Sequence, residues 1–144
     1  MNESYKIMKT KDPSVIRFLL EPMQDFIEKE EMDEYDLSAF IKWLRQNIAN
    51  PLVGLWIAVK EEKVFGYCIT RIHTSLLGEY VNEYVDITQI YGLEEKIEDE
   101  FLDIISKWAK KYGINKVAMH SKHPKRRWLK EGFVVKSHLM SKEV

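Results

Sequence analysis

The spacing of apolar residues changes several times along the chain, and each change marks an element. Tyr5 to Met8 reads as a short first strand. Asp12-Pro13-Ser14 then opens a helix, because aspartate caps a helix start and proline loses nothing at the first helical position. Val15, Ile16, Leu19 and Leu20 form its apolar side, and Pro22 is expected to end it. A second short helix from Pro22 would bury Met23, Phe26 and Ile27. Leu37, Phe40, Ile41, Leu44 and Ile48 recur at steps of three and four, which sets all five on one helical stripe. Asn50-Pro51 stops that helix.

From there the period becomes two. Leu55 to Val59 and Val64 to Ile72 are rich in β-branched and aromatic residues, and Lys60 to Lys63 lies between them as a hairpin turn. After a turn at Ser75 to Gly78, Tyr80 to Tyr91 makes a long third strand of this region. Val81, Val85 and Ile87 take one face of it, and Tyr84, Asp86 and Thr88 the other. The helical period then returns in Ile97, Phe101, Ile104, Ile105, Trp108 and Tyr112, with Gly113 placed for a left-handed cap. Glu94, Glu95, Glu98, Asp99 and Glu100 crowd the start of this helix, and Lys107, Lys110 and Lys111 its end, both favourable to the helix dipole. A strand over Lys116 to His120, a basic helix over Pro124 to Lys130 and a last strand through about Met140 complete the order β-α-α-β-β-β-α-β-α-β. The expected fold class is α+β, a mixed and mostly antiparallel sheet with helices on both faces, in a single domain over residues 1–144.

Composition narrows the classes. A chain of 144 residues that is 45% hydrophobic and 31% charged suits one folded domain with a proper core. The longest apolar run, Pro51 to Val59, falls well below the ~18–20 residues of a membrane span. With a single cysteine, Cys68, and no basic, apolar leader at the N-terminus, a cytoplasmic location is expected. The net charge of −1 conceals a split: residues 1–106 carry −10 and residues 107–144 carry +9.

Three stretches bear a family likeness. They are Leu55–Val59 running through Val64-Phe65-Gly66-Tyr67, the run from Ile104 to Val117, and Trp128-Leu129-Lys130-Glu131-Gly132-Phe133. In this order and spacing the chain resembles the GCN5-related N-acetyltransferase (GNAT) superfamily over nearly its whole length. The resemblance implies transfer of an acyl group from acetyl-CoA to an amine. It further implies that Gln89, Ile90, Tyr91, Lys96, Ile97 and Arg127 stand where that coenzyme is held. It also implies a carboxylate on the third long strand, Asp86 or Glu83, or His120 at the end of the next, as acceptor of the amine's proton.

Two departures from the family pattern modify this expectation. The pyrophosphate loop, of pattern Gln/Arg-x-x-Gly-x-Gly/Ala, corresponds here to Leu93-Glu94-Glu95-Lys96-Ile97-Glu98, a degenerate version without glycine and with three glutamates. Like charges at such range oppose a diphosphate, so ordinary acetyl-CoA binding is expected to be impaired. Trp128 takes the place of a tyrosine that serves many relatives as an acid, and an indole cannot donate in that way. Two functions are compatible with these departures: a divergent N-acyltransferase, active or inactive, and a non-catalytic module of the same shape that no longer binds acetyl-CoA and works through protein contacts.

Further constellations weigh less. Eight acidic residues between Glu21 and Asp36 against Lys29 alone could attract a cationic amine or a protein acceptor. Lys122, His123, Lys125, Arg126, Arg127 and Lys130 form a basic run suited to the coenzyme's adenosine phosphates; one short run in a near-neutral chain makes nucleic acid an improbable partner. His120, His123 and His138 with Cys68 lack the spacing of metal ligands, and no metal is expected. The 11 residues after Phe133 are few for the terminal hairpin that supports dimers in this family, and the oligomeric state stays open.

Overall fold

Among the described residues five strands join in chain order, with every neighbouring pair antiparallel except the last two. The computed structural model describes residues 5–30, 36–75, 82–119, 128–129, 132–133 and 142, with the backbone alone at 74–75 and 82–83. The strands are β1 (Lys6–Thr10), β2 (Val53–Lys60), β3 (Lys63–Ser75), β4 (Asn82–Gly92) and β5 (Val117–Met119). The helices are α1 (Leu20–Lys29), α2 (Leu37–Asn47) and α3 (Glu95–Lys111).

Because side chains alternate along a strand, the sheet feeds two cores. Trp56, Ala58, Cys68, Val85, Ile87 and Ile90 point to the α3 side. They meet Ile97, Phe101, Ile105 and Ala109, the residues that a 3.6-residue period brings to one side of α3. Leu55, Ile57, Tyr67, Ile69 and Tyr91 point the other way, to Ile16, Leu19 and Met23 and to Ile41, Leu44 and Ile48 of the α2 stripe. Cys68 is wholly buried in the first core. The expected α+β class, with helices on both faces of a mixed sheet, is what the chain adopts.

Three details differ from the sequence reading. Residues Pro13–Leu19 form a 3₁₀ helix, capped by the Asp12 carboxylate, which accepts from the Ser14 N–H at 3.0 Å. The α-helix begins at Leu20, so Pro22 lies in its first turn and does not break it; no amide is needed there. The helical spacing puts Tyr112 on the α3 stripe, yet it is 62% exposed, because the helix ends at Lys111 and Gly113, at φ 74°, turns the chain away. The basic helix and last strand lie outside the described residues apart from Trp128, Leu129, Gly132 and Phe133. Trp128 is buried against the α3-side core.

The hairpin turn between β2 and β3 carries a conformational cost. Lys60 pairs with Lys63, leaving a two-residue loop in which Glu61 and Glu62 both take positive φ, 52° and 63°. That matches the twist of a two-residue hairpin but suits asparagine and glycine, not glutamate. Replacing Glu61 with Asn and Glu62 with Gly should raise unfolding stability by about 1 kcal/mol or more, measured by urea titration. A decrease would mean that the two glutamates hold the turn by contacts that outweigh their backbone strain.

Candidate active site

Strand β4 shapes the site because it changes face partway along. Thr70 pairs with Ile87 and Ile69 with Gln89, so Thr88 has no residue opposite it on β3. This one-residue bulge shifts the alternation. Before it, Val85 and Ile87 point to α3; after it, Ile90 does. Tyr91 then falls on the α1/α2 side, and Gln89 lies against Tyr67 of that side; in an unbroken alternation both would have pointed into the α3 core. A strictly alternating pattern places Thr88 correctly opposite Val85 and Ile87 but gives no warning of this shift.

The side chains collected on the α1/α2 face form two polar groups. The first joins Arg71, Asp86 and Thr88. Arg71 Nη2 donates to Asp86 Oδ2 at 3.2 Å, Arg71 Nε to Thr88 Oγ1 at 3.3 Å, and Thr88 Oγ1 to the same Asp86 oxygen at 3.3 Å. Asp86 is 4% exposed, and the half-exposed guanidinium lies 5.9 Å from the ring of Trp43 on α2. The second group joins β3 and β4 to α1. Tyr67 donates to Gln89 Oε1 at 2.8 Å and stacks on Tyr91 at 5.8 Å between ring centroids. The Tyr91 hydroxyl donates to the Asp25 carboxylate, which also meets Lys29 Nζ at 3.4 Å. Burial first, and then the hydrogen bond to Asp25, pushes the Tyr91 hydroxyl well above the usual phenol range. The bond from Tyr91 holds the Asp25 carboxyl below its ordinary value. Neither group is thus tuned to exchange a proton near neutrality.

Beyond Gly92 the chain turns directly into α3. The Leu93 N–H donates to the Phe65 carbonyl at 2.9 Å, which fixes the exit from β4. Gly92 is required there, since a Cβ would come within 2.8 Å of both the Glu94 carbonyl and Ile97 Cβ. Glu94 occupies the N-cap without a side-chain capping bond to the first turn, its carboxylate meeting Lys96 Nζ at 3.2 Å. Backbone amides at a helix start can hold an anion. Glu98, in the first turn, is only 6% exposed; burial, and next the charge of Glu98, pushes the Cys68 thiol well up.

The residues singled out from the sequence therefore fall into separate groups. Asp86, Gln89 and Tyr91 share the polar face, whereas Ile90 and Ile97 bury their side chains in the α3-side core. Lys96 is exposed beside Glu94 and lies 5.5 Å from the Tyr5 ring. Glu83 belongs to β4 opposite Thr74, with only its backbone described, and His120 and Arg127 lie outside the described residues. Sequence reasoning missed Arg71. Its signal was a lone cation at the end of the alternation Tyr67, Ile69, Arg71 on a buried face. Among the described residues no three His, Cys, Asp or Glu side chains gather as metal ligands do. Nor is any described helix long and apolar enough to cross a membrane.

No protein-family model matches the sequence, and no curated protein does. Solved structures match over nearly the full length. A predicted acetyltransferase with acetyl-CoA from Clostridium acetobutylicum has a TM-score of 0.80 at 18% identity, with 96% of each chain covered. A transcriptional regulator from Bacillus halodurans has a TM-score of 0.78 at 10% identity, covering 97% of this chain and 99% of that one. A GNAT family acetyltransferase from Staphylococcus aureus has a TM-score of 0.72 at 15% identity, with 98% and 99% covered. Aminoglycoside acetyltransferases also match. The bulged mixed sheet, the strand-to-helix junction at Gly92 and these matches agree: the chain has the fold of the GNAT acetyltransferases.

Proposed function

We propose that this chain is a divergent GNAT-type N-acyltransferase that acts on a cationic amine. The observation that carries the reading is the junction of β4 with α3, where Gly92 permits a tight turn and the helix start has no side-chain cap from Glu94. That backbone would suit an acyl-CoA pyrophosphate, whereas the charges of Glu94, Glu95 and Glu98 would oppose it and weaken the binding. Bound acyl-CoA would supply a thioester whose acyl carbon the amine attacks, with release of the thiol.

The chain's own residues would then position the amine and take its proton. Glu21, Asp25 and Glu28 on α1 favour a cation beside the polar face, and Lys29 offsets only part of their charge. The likeness to aminoglycoside acetyltransferases supports an amine acceptor. Glu83 on β4 and His120 beyond β5 are proposed to accept the proton. Asp86, already held by Arg71 and Thr88, is proposed to orient the strand instead. Rate at a fixed acceptor concentration should fall in Glu83→Gln or His120→Ala while affinity for CoA is kept; two unaffected rates would remove both from this role.

Calorimetry with CoA and acetyl-CoA tests the reading directly. Coenzyme at about 100 times its dissociation constant should add roughly 2.7 kcal/mol to stability, seen as a rise of several degrees in Tm. Absence of binding at millimolar coenzyme would favour the other use of this shape, a module acting through protein contacts, in line with the regulator among its structural neighbours. Changing Glu94 and Glu95 together to glycine should tighten CoA about threefold or more at low ionic strength, and less in high salt. Equal affinity in the two proteins would show that the glutamates are no obstacle.

A further inference from the structure

We infer that Arg71, Asp86 and Thr88 form a positioning clamp that locks the bulge of β4 and so holds Gln89 and Tyr91 on the acceptor side of the sheet; the catalytic part of this inference rests on the function proposed above. The three side chains close a ring of hydrogen bonds at 3.2, 3.3 and 3.3 Å, and Thr88, the unpaired residue of the bulge, is one of its corners. Arg71 and Asp86 are direct cross-strand partners, so the ring joins both strands at the point where the register shifts. A bulge leaves its extra residue without a ladder partner and disrupts the pairing locally, so side-chain bonds across the two strands can hold the chain there where the ladder does not. Here the pin is chemical. The Thr88 hydroxyl accepts from Arg71 and donates to Asp86, which a valine of the same shape cannot do.

What the clamp protects is visible one and three residues further on. Gln89 is 6% exposed with its oxygen taken by Tyr67, and Tyr91 is 6% exposed with its hydroxyl on Asp25. If the register slipped by one residue, both would turn toward Ile97 and Phe101, and α1 would lose its polar tie to β4. Arg71 also reaches the ring of Trp43, so the clamp links β4 to α2 as well. It is thus built to transmit the placement of both helices to the strand that lines the site.

Two variants test this, Thr88→Val and Arg71→Lys. Amide hydrogen exchange in the unliganded protein should quicken about tenfold or more at Thr88 to Tyr91 in both, while Val85 to Ile87 and the amides of α3 stay as in the parent. Under the proposed activity, kcat should drop about tenfold to a hundredfold with KM for acetyl-CoA and Tm little changed, because a misplaced wall costs rate before it costs binding. Unchanged exchange at Thr88 to Tyr91 in both variants overturns the clamp. Exchange that quickens everywhere, with a matching fall in Tm, also overturns it and makes the ring an ordinary stabilising contact. The exchange readout needs no coenzyme, so a protein that fails to bind CoA would refute the proposed function while leaving the clamp to be judged on its own.

Discussion

A single extra residue in β4 is the constraint on which the rest of the arrangement depends. A sheet covered on both faces demands apolar side chains on both, and an alternating strand satisfies that by strict parity. Strand β4 has a harder task. It must give α3 apolar partners along its whole length, Val85, Ile87 and Ile90, and also present Asp86, Gln89 and Tyr91 to the opposite face. No unbroken alternation satisfies both, because Ile87 and Ile90 are three residues apart. The bulge at Thr88 reconciles the two demands. Without it a glutamine amide and a tyrosine hydroxyl would lie among Ile97 and Phe101, where an unpaired polar group costs about 1–3 kcal/mol.

Much of the fold was legible because it is written in periodicity. The α2 stripe, the β2–β3 hairpin and the long helix α3 each repeat their signal over several turns or pairs, and packing agreed with local pattern. Boundaries set by one residue were less legible. Pro22 looked like a terminator because its position within the helix is not encoded in its identity, and only the 3₁₀ start at Pro13–Leu19 moves it into a first turn. The candidate site was legible in part. The family resemblance picks out Asp86 as a candidate base and Gln89 and Tyr91 as coenzyme residues, but not the face that the three share. A bulge is a property of two strands in register, and a one-dimensional pattern contains only one of them. Arg71 was overlooked for a related reason, since a lone cation on a strand gains its meaning from the carboxylate across from it.

The start of α3 shows two uses of one dipole in competition. Carboxylates in a first turn stabilise a helix, and the same partial charge draws an anionic ligand. This chain fills the turn with Glu95 and Glu98, and Glu98 is buried rather than solvated. On the function proposed above, this would favour stability of the fold over affinity for a diphosphate.

The electrostatics of the two sides of Tyr91 then point the same way. Burial raises its hydroxyl most, and Asp25 of α1, Glu98 of α3 and Glu21 of α1 add to that effect. Among the described residues of that side, Lys29, 5.2 Å from the Tyr91 ring, is drawn to Asp25, and Arg71 further along the face is held by Asp86. A region in which carboxylates outnumber cations, with the cations already engaged, favours an arriving positive charge and resists a negative one. For a transferase of the proposed kind this divides the work unevenly. The acceptor would gain from charge, whereas the coenzyme would depend on backbone amides and on contacts distant from the glutamates. Coenzyme affinity would then rise with salt, which screens the repulsion, while acceptor affinity would fall with it, so ionic strength separates the two sites without any substitution.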